Sequence, residues 1–318
     1  MGRKTYSIAN RKKLIQTYNE QSNFNEEIPA ESFSEENFSH TQIEDNIKEN
    51  SYNGEVIAIT SAKGGVGKSL ISSHIGYNLA MMGKKVCVMD VNFDNRGLDI
   101  FLGNSRYGVW DLSNVLEGEC TWRKALVNVK ENLSVVPGPH PSNSNGRGKA
   151  VNEKKLQEVI AEIKSEFEYI IMDSPSLSET HFEMVIKNVD RAIVILTPFI
   201  NSIRSTDVLI RYFNYMKMEV PSLIVNKDLT DRHQLSPLDL FKIEEIESLL
   251  GEVTVLDAIQ DEKEILLTEL TGQLLEYCNT SSKNSLAFYN ICRKIIGEEV
   301  LIPEKTTKKK KSLFTFRN

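Results

Sequence analysis

The residues most able to do chemistry stand together: Ala62, Lys63, Gly64, Gly65, Val66, Gly67, Lys68 and Ser69. They follow an apolar run (Val56, Ile57, Ala58, Ile59) and precede a helix-patterned segment over 70–82. A strand that feeds a glycine-rich turn into a helix start aims successive backbone N–H groups and the helix dipole at one point, where an anion is stabilised. That point is a phosphate site. Lys68 is then placed to reach the β- and γ-phosphates of a nucleotide, and the Ser69 hydroxyl to take a position on Mg²⁺. Glycine at 64, 65 and 67 lets the backbone approach the phosphates closely, which a Cβ would block.

A second group belongs to the same chemistry. The apolar run Tyr169, Ile170, Ile171, Met172 ends in Asp173, followed by Ser174 and Pro175. An acid at the carboxyl end of a buried strand, combined with a phosphate loop, matches a Walker B aspartate that holds Mg²⁺ directly or through water. The expected cofactors are therefore ATP and Mg²⁺.

These groups need a frame. From Gly54 onward apolar strands alternate with amphipathic helices, and strands are expected at 56–60, 85–90, 133–136, 169–173, 192–196, 222–225 and 253–256. Apolar runs separated by helices are what a parallel sheet covered on both faces produces. The pattern predicts a doubly wound, mostly parallel α/β sheet with ligands at the carboxyl ends of its strands. The domain is expected to span 53–300. Residues 1–52 are polar, with a basic opening (Arg3, Lys4, Arg11, Lys12, Lys13) and an acidic, Asn/Ser-rich continuation, and are expected to remain disordered. Residues 301–318 form a basic and apolar tail.

Of 318 residues 40% are hydrophobic and 26% charged, which is ordinary for a globular protein and selects no function. The net charge of −6 opposes bulk attraction to nucleic acid, so specific nucleic-acid binding is not expected. The four cysteines, Cys87, Cys120, Cys278 and Cys292, lie far apart, without metal-binding or disulfide spacing, and read as buried small hydrophobes. The N-terminus has no signal-peptide core and no apolar run is long enough to span a bilayer, so a cytoplasmic location is expected.

Ala62 stands where the strict phosphate-loop pattern asks for glycine, and Lys63 adds a second lysine just before the glycines. This combination resembles the deviant Walker A box of the ParA/MinD ATPases. The resemblance implies that Lys63 crosses a dimer interface to the nucleotide of the other subunit. The segment from Asp90 through Arg96, Leu98 and Asp99 resembles the family's second acidic motif, with Asp90 and the residue at 92 in catalytic positions. Asn92 departs from it, because the family has an aspartate there that helps place the attacking water. An amide accepts no proton, so the resemblance implies intact ATP and Mg²⁺ binding with slowed hydrolysis. Asp94 would compensate only through a rearranged loop. The likeness extends over 109–118, 124–127, 192–207, 223–227, 261–265 and 282–300, and it assigns Asn226 to the adenine.

In this family the resemblance implies an ATP-dependent homodimer that binds the inner face of the cell membrane peripherally, acts in placing the division septum, and has protein partners from that system. Two alternatives remain: a flagellar-number regulator of the same family, and a nucleotide-switched scaffold with little hydrolysis, which Asn92 favours. Where the family's partner-facing helix region carries acids, this chain has Phe199 and Ser205.

The tail carries Lys309, Lys310 and Lys311 beside Leu313, Phe314 and Phe316. Near an anionic bilayer each lysine contributes on the order of 1 kcal/mol and apolar insertion adds to it, so one tail binds weakly while a dimer presenting two gains about 10²–10⁴-fold in avidity. Deleting residues 313–318 is expected to release the protein from anionic vesicles and leave nucleotide affinity unchanged, and raised salt is expected to weaken binding of the intact protein. Equal pelleting of truncated and full-length protein in ATP would rule the tail out as anchor.

Overall fold

A computed structural model describes residues 52–93, 97–101, 110–139, 151–229, 240–271, 274 and 282–300. Residues 1–51 of the N-terminal extension, the tail from 301, Asp94 and Arg96 lie outside the described residues.

Eight strands form one sheet: β1 (Glu55–Thr60), β2 (Val86–Asp90), β3 (Val127–Lys130), β4 (Leu133–Val136), β5 (Tyr169–Asp173), β6 (Arg191–Leu196), β7 (Ser222–Asp228) and β8 (Val255–Gln260). Their order is β3-β4-β2-β5-β1-β6-β7-β8, and every neighbouring pair is parallel except β3 with β4. The doubly wound α/β reading therefore describes this fold. Alternate residues of the central strands feed two separate cores. Ile57, Ile59, Val88 and Ile171 face one layer, with Val56, Met89, Ile170 and Met172 facing the other. Each strand thus reads as an unbroken apolar run, as burial on both faces requires.

The helix after β1, α1 (Lys68–Met81), packs against the sheet and against the last helix. The chain continues through α2 (Leu98–Phe101), α3 (Leu112–Leu116), α4 (Trp122–Ala125), α5 (Glu153–Lys164), α6 (Phe182–Ile186), α7 (Ile200–Tyr215), α8 (Ile243–Leu250), α9 (Lys263–Thr271) and α10 (Lys283–Ile295). Ser282 starts α10 by accepting from the Ser285 N–H at 3.1 Å, so the helix sets out toward α1 and β8, where Phe288, Ile291, Cys292 and Ile295 are buried. Among the described residues no helix is long and apolar enough to cross a membrane.

The structure corrects several boundaries. Edge strand β3 was not expected. Val127–Lys130 has no apolar run; it alternates half-buried and exposed residues and joins β4 antiparallel through a turn in which Asn132 adopts φ +62°. The last strand lies at Val255–Gln260 rather than 253–256, because its pairing with β7 carries it past Leu256 to the site edge. Helix α1 begins at Lys68 rather than 70. Cys87 and Cys292 are buried thiols, but Cys120 is only half-buried.

Buried positions occur on nearly all sides of α1, and they include His74. Its ring stacks on Phe288 with centroids 4.3 Å apart and an interplanar angle of 12°. Nδ1 donates to the Leu70 carbonyl at 2.8 Å, while Nε2 is buried without a partner. Burial therefore favours the neutral ring and lowers its pKa to about 4. Because the unfolded chain takes up this proton first, stability is full near neutral pH and falls as pH drops through the unfolded value, levelling near the folded one. From about pH 7 to about pH 5 the loss attributable to His74 should be about 2 kcal/mol. Denaturant titrations at the two pH values are expected to show a smaller decline for His74→Leu; an unchanged decline would clear His74 of the effect.

Candidate functional site

The turn between β1 and α1 is held from outside. Gly67 caps the helix at φ 101° and ψ 27° and has no side chain to accept from the first-turn N–H groups, and the first turn has no acidic residue. A helix start left in this condition presents donors and a partial positive charge to an incoming anion. Asn226, near the carboxyl end of β7, donates through Nδ2 to the Val66 carbonyl at 2.7 Å, and Lys227 Nζ donates to the Gly65 carbonyl at 3.2 Å. The Ser61 hydroxyl donates to the Lys63 carbonyl at 2.6 Å. A Cβ on Gly67 would sit 2.3 Å from Asn226 Nδ2, whereas one on Gly64 or Gly65 would meet nothing within 4 Å. Glycine at 67 is thus demanded by the protein itself. At 65 a φ of +77° also calls for glycine, and the open space beside 64 and 65 is where a phosphate would come close.

The acids stand beside this turn. Asp90 and Asp173 end neighbouring parallel strands in register, and both are fully buried. Asp173 Oδ1 accepts from the Ser72 hydroxyl at 3.4 Å, and Oδ2 is buried without a hydrogen-bond partner. Burial pushes the Asp173 carboxyl up to about 6 against the pull of the Ser69 hydroxyl, the Lys68 ammonium and the Ser72 hydroxyl. Burial and the charge of Asp173 also raise Asp90 well above the carboxylate range. A buried carboxyl oxygen without a partner, next to a serine hydroxyl and a buried lysine, suits a hydrated divalent cation. Ser69 and Asp173 are the residues that could hold Mg²⁺ here.

A cavity of about 540 Å³ lies over the turn, a size suited to a small-molecule ligand. Gly64, Gly65, Gly67, Lys68 and Ser69 line one side, and Asn92 and Asn226 also line it. Other sequence-derived candidates are placed differently. Ala62 and Val66 pack their side chains against the cores and can offer only backbone. Lys63 is not among the lining residues; its exposed Nζ donates to the Asn201 carbonyl in the first turn of α7 at 3.2 Å. Asp90 is not in the wall either. Its carboxylate accepts from the Asn92, Gly97 and Leu98 N–H groups at 3.1, 3.3 and 3.5 Å and packs against Gly138, where a Cβ would come within 2.7 Å of Asp90 Cγ. It organises the segment that carries Asn92. Asn226, assigned to adenine by resemblance, lines the cavity but spends an N–H on the phosphate loop.

Reading residue by residue missed Glu179, Lys227, Gln260 and Asp261, all of which line the cavity. Gln260 is fixed by a reciprocal pair with Asn284, whose Oδ1 accepts the Gln260 N–H at 2.7 Å and whose Nδ2 donates to the Gln260 carbonyl at 3.1 Å. The available signal was position, since these residues follow or end β5, β7 and β8 on the sheet edge where ligands bind.

The Asn226 bond is testable by its polarity. Asn226→Ala leaves the Val66 carbonyl without this donor and should weaken binding of a non-hydrolysable ATP analogue about tenfold, equivalent to about 1.4 kcal/mol. Asn226→Asp should weaken it more, because a carboxylate can only accept and adds negative charge near the phosphates. Calorimetry showing Asp tolerated better than Ala would exclude the donor role.

Comparison with known proteins fits this geometry. A family model described as an AAA domain matches residues 54–230. The septum site-determining protein MinD of Bacillus subtilis (strain 168) is 33% identical over 251 residues, covering 78% of this chain and 91% of that protein. The MinC:MinD cell division protein complex of Aquifex aeolicus contains a chain similar at TM-score 0.70 and 29% identity, covering 78% of this chain and 98% of that one. MinD of Pyrococcus horikoshii OT3, solved complexed with Mg-ADP, shares the fold at TM-score 0.66 and 22% identity over 76% of this chain and 96% of that one. With the family model matching more than half its length and a relative a third identical over most of it, the chain belongs to the ParA/MinD family of P-loop ATPases, as a MinD-type member.

Proposed function

We propose that this chain is a MinD-type ATPase of division-site placement that binds Mg²⁺ and ATP, dimerises in the ATP state and then resides peripherally on the inner face of the cell membrane. The observation that carries this reading is an uncapped helix start whose Lys68 and Ser69 line one cavity, with the buried, unpartnered Oδ2 of Asp173 behind them, within reach of the Lys68 charge and the Ser69 hydroxyl. Lys68 would neutralise the β- and γ-phosphates, and the first-turn N–H groups would donate to their oxygens. Bound Mg²⁺ would supply charge neutralisation of the leaving diphosphate. The septum-site names of the relatives support the cellular role, and the MinC:MinD complex supports a protein partner of that system.

Dimerisation is supported by Lys63. A lysine beside a phosphate loop is long enough to fold onto its own ligand, but here Nζ rests on an α7 carbonyl outside the cavity wall. Phe199 and Ile200, next to Asn201, are 41% and 39% exposed, which adds apolar surface at the same place. A subunit approaching there would find the lysine ready to reach its nucleotide. Asn92 favours a second reading, an ATP-switched scaffold with little turnover.

Lys68→Ala is expected to abolish binding of a non-hydrolysable ATP analogue in calorimetry, while Lys63→Ala retains affinity but remains monomeric in sedimentation with the analogue. Normal dimers of the Lys63→Ala protein would sink the cross-subunit role, and ATP bound equally by Lys68→Ala would sink the site.

A further inference from the structure

Asn92 leaves the cavity short of the carboxylate that would orient a water for attack on phosphorus, yet two other carboxylates, Glu179 and Asp261, line that cavity, and of the two it is Glu179 whose charge acts on Asp173. Resting on the ATPase reading above, we propose that Glu179 positions the attacking water in this chain, doing the work for which position 92 has only an amide. Glu179 and Asn92 share the cavity wall with Lys68 and Ser69. Independently, the Glu179 charge acts on Asp173, which places its carboxylate within electrostatic reach of the candidate metal ligand.

The turn that presents Glu179 is fastened to the phosphate-loop side of the sheet. After β5, the Ser174 N–H donates to the Ile59 carbonyl at 3.1 Å and the Leu177 N–H to the Ser61 carbonyl at 2.9 Å. The Thr60 hydroxyl donates to the Pro175 carbonyl at 2.8 Å. The Glu179 N–H closes the turn on the Ser176 carbonyl at 2.8 Å. On the carboxylate, Oε2 accepts both the Ser176 N–H and the Ser176 hydroxyl, the latter at 2.8 Å. Neither bond uses Oε1. One oxygen is thus anchored while the other is outside that pairing, as a group that must aim a water requires.

The chemistry balances. The water oxygen forms a bond to the γ-phosphorus, and the bond from that phosphorus to the β–γ bridging oxygen breaks with its electron pair on ADP. One water proton passes to the Glu179 carboxylate and from there to the released phosphate. Lys68 and the first-turn N–H groups hold the phosphate oxygens meanwhile.

The test uses full-length protein, Mg-ATP and phosphatidylglycerol vesicles, with phosphate release at saturating ATP as readout. Glu179→Gln keeps the side-chain shape and an oxygen for the Ser176 donors; it is expected to slow release about 10²–10³-fold, with analogue affinity within about threefold of wild type and an unchanged melting temperature. Asn92→Asp in the Glu179→Gln background should restore the rate to within about tenfold of wild type, a rescue that a purely structural role for Glu179 does not allow. The proposal is overturned by Glu179→Gln turning over within about threefold of wild type, by a loss that Asn92→Asp does not restore, or by a wild type that binds ATP without measurable turnover. A wild type that binds no ATP overturns the ATPase reading itself.

Discussion

The structure depends on one helix end left without an intramolecular cap. Helix α1 starts at Lys68 behind a glycine at φ 101°, which has no side chain to accept from its first turn. Unsatisfied N–H groups at a helix start are costly unless water or a ligand meets them, and their aligned dipoles favour an anion. Around this end the fold places what an anion needs and little that would displace it. Asn226 and Lys227 hold the turn by its carbonyls from β7, and Ser61 holds it from β1. The donors therefore stay directed at the cavity rather than folding back on the chain.

Charge follows from the same placement. Lys68 is buried with its charge acting on Asp173, and Asp173 and its strand-end neighbour Asp90 are themselves disfavoured as a doubly ionised pair. Asp90 spends its oxygens on the backbone of the following segment, while Asp173 keeps one oxygen unpartnered. Two residues of one type at neighbouring strand ends thus take different work: one shapes a loop, the other is left for a cation. Lys63 and Lys68, five residues apart, diverge in the same way, one exposed on an α7 carbonyl and one buried at the cavity.

Far from the phosphates, the site is tied to the C-terminal helix. Asn284 in the first turn of α10 fixes Gln260 at the end of β8, and Gln260 Nε2 donates to Asp228 Oδ2 at 2.6 Å at the end of β7. The same helix stacks Phe288 on His74 of α1. Helix α10 therefore touches both the helix that starts at the glycine-rich turn and the strand end beside the cavity.

What the sequence determined by itself is local. A glycine-rich turn between an apolar run and a helix start has one use whichever way the rest of the chain folds, so Gly67, Lys68, Ser69 and the strand-end Asp173 were legible from type and spacing. Strands buried on both faces announce themselves as apolar runs, and the central ones fell within a residue or two of expectation. Strand β3 was illegible because a half-buried edge pairs through its neighbour β4, not through its own composition. The tertiary structure alone decided which distant side chains meet: Asn226 against the phosphate loop 160 residues away in sequence, Asn284 against Gln260, and Glu179 at the cavity that the glycines line. Such meetings are set by strand order in the sheet, and strand order is a consequence of packing over the whole chain that no local pattern contains.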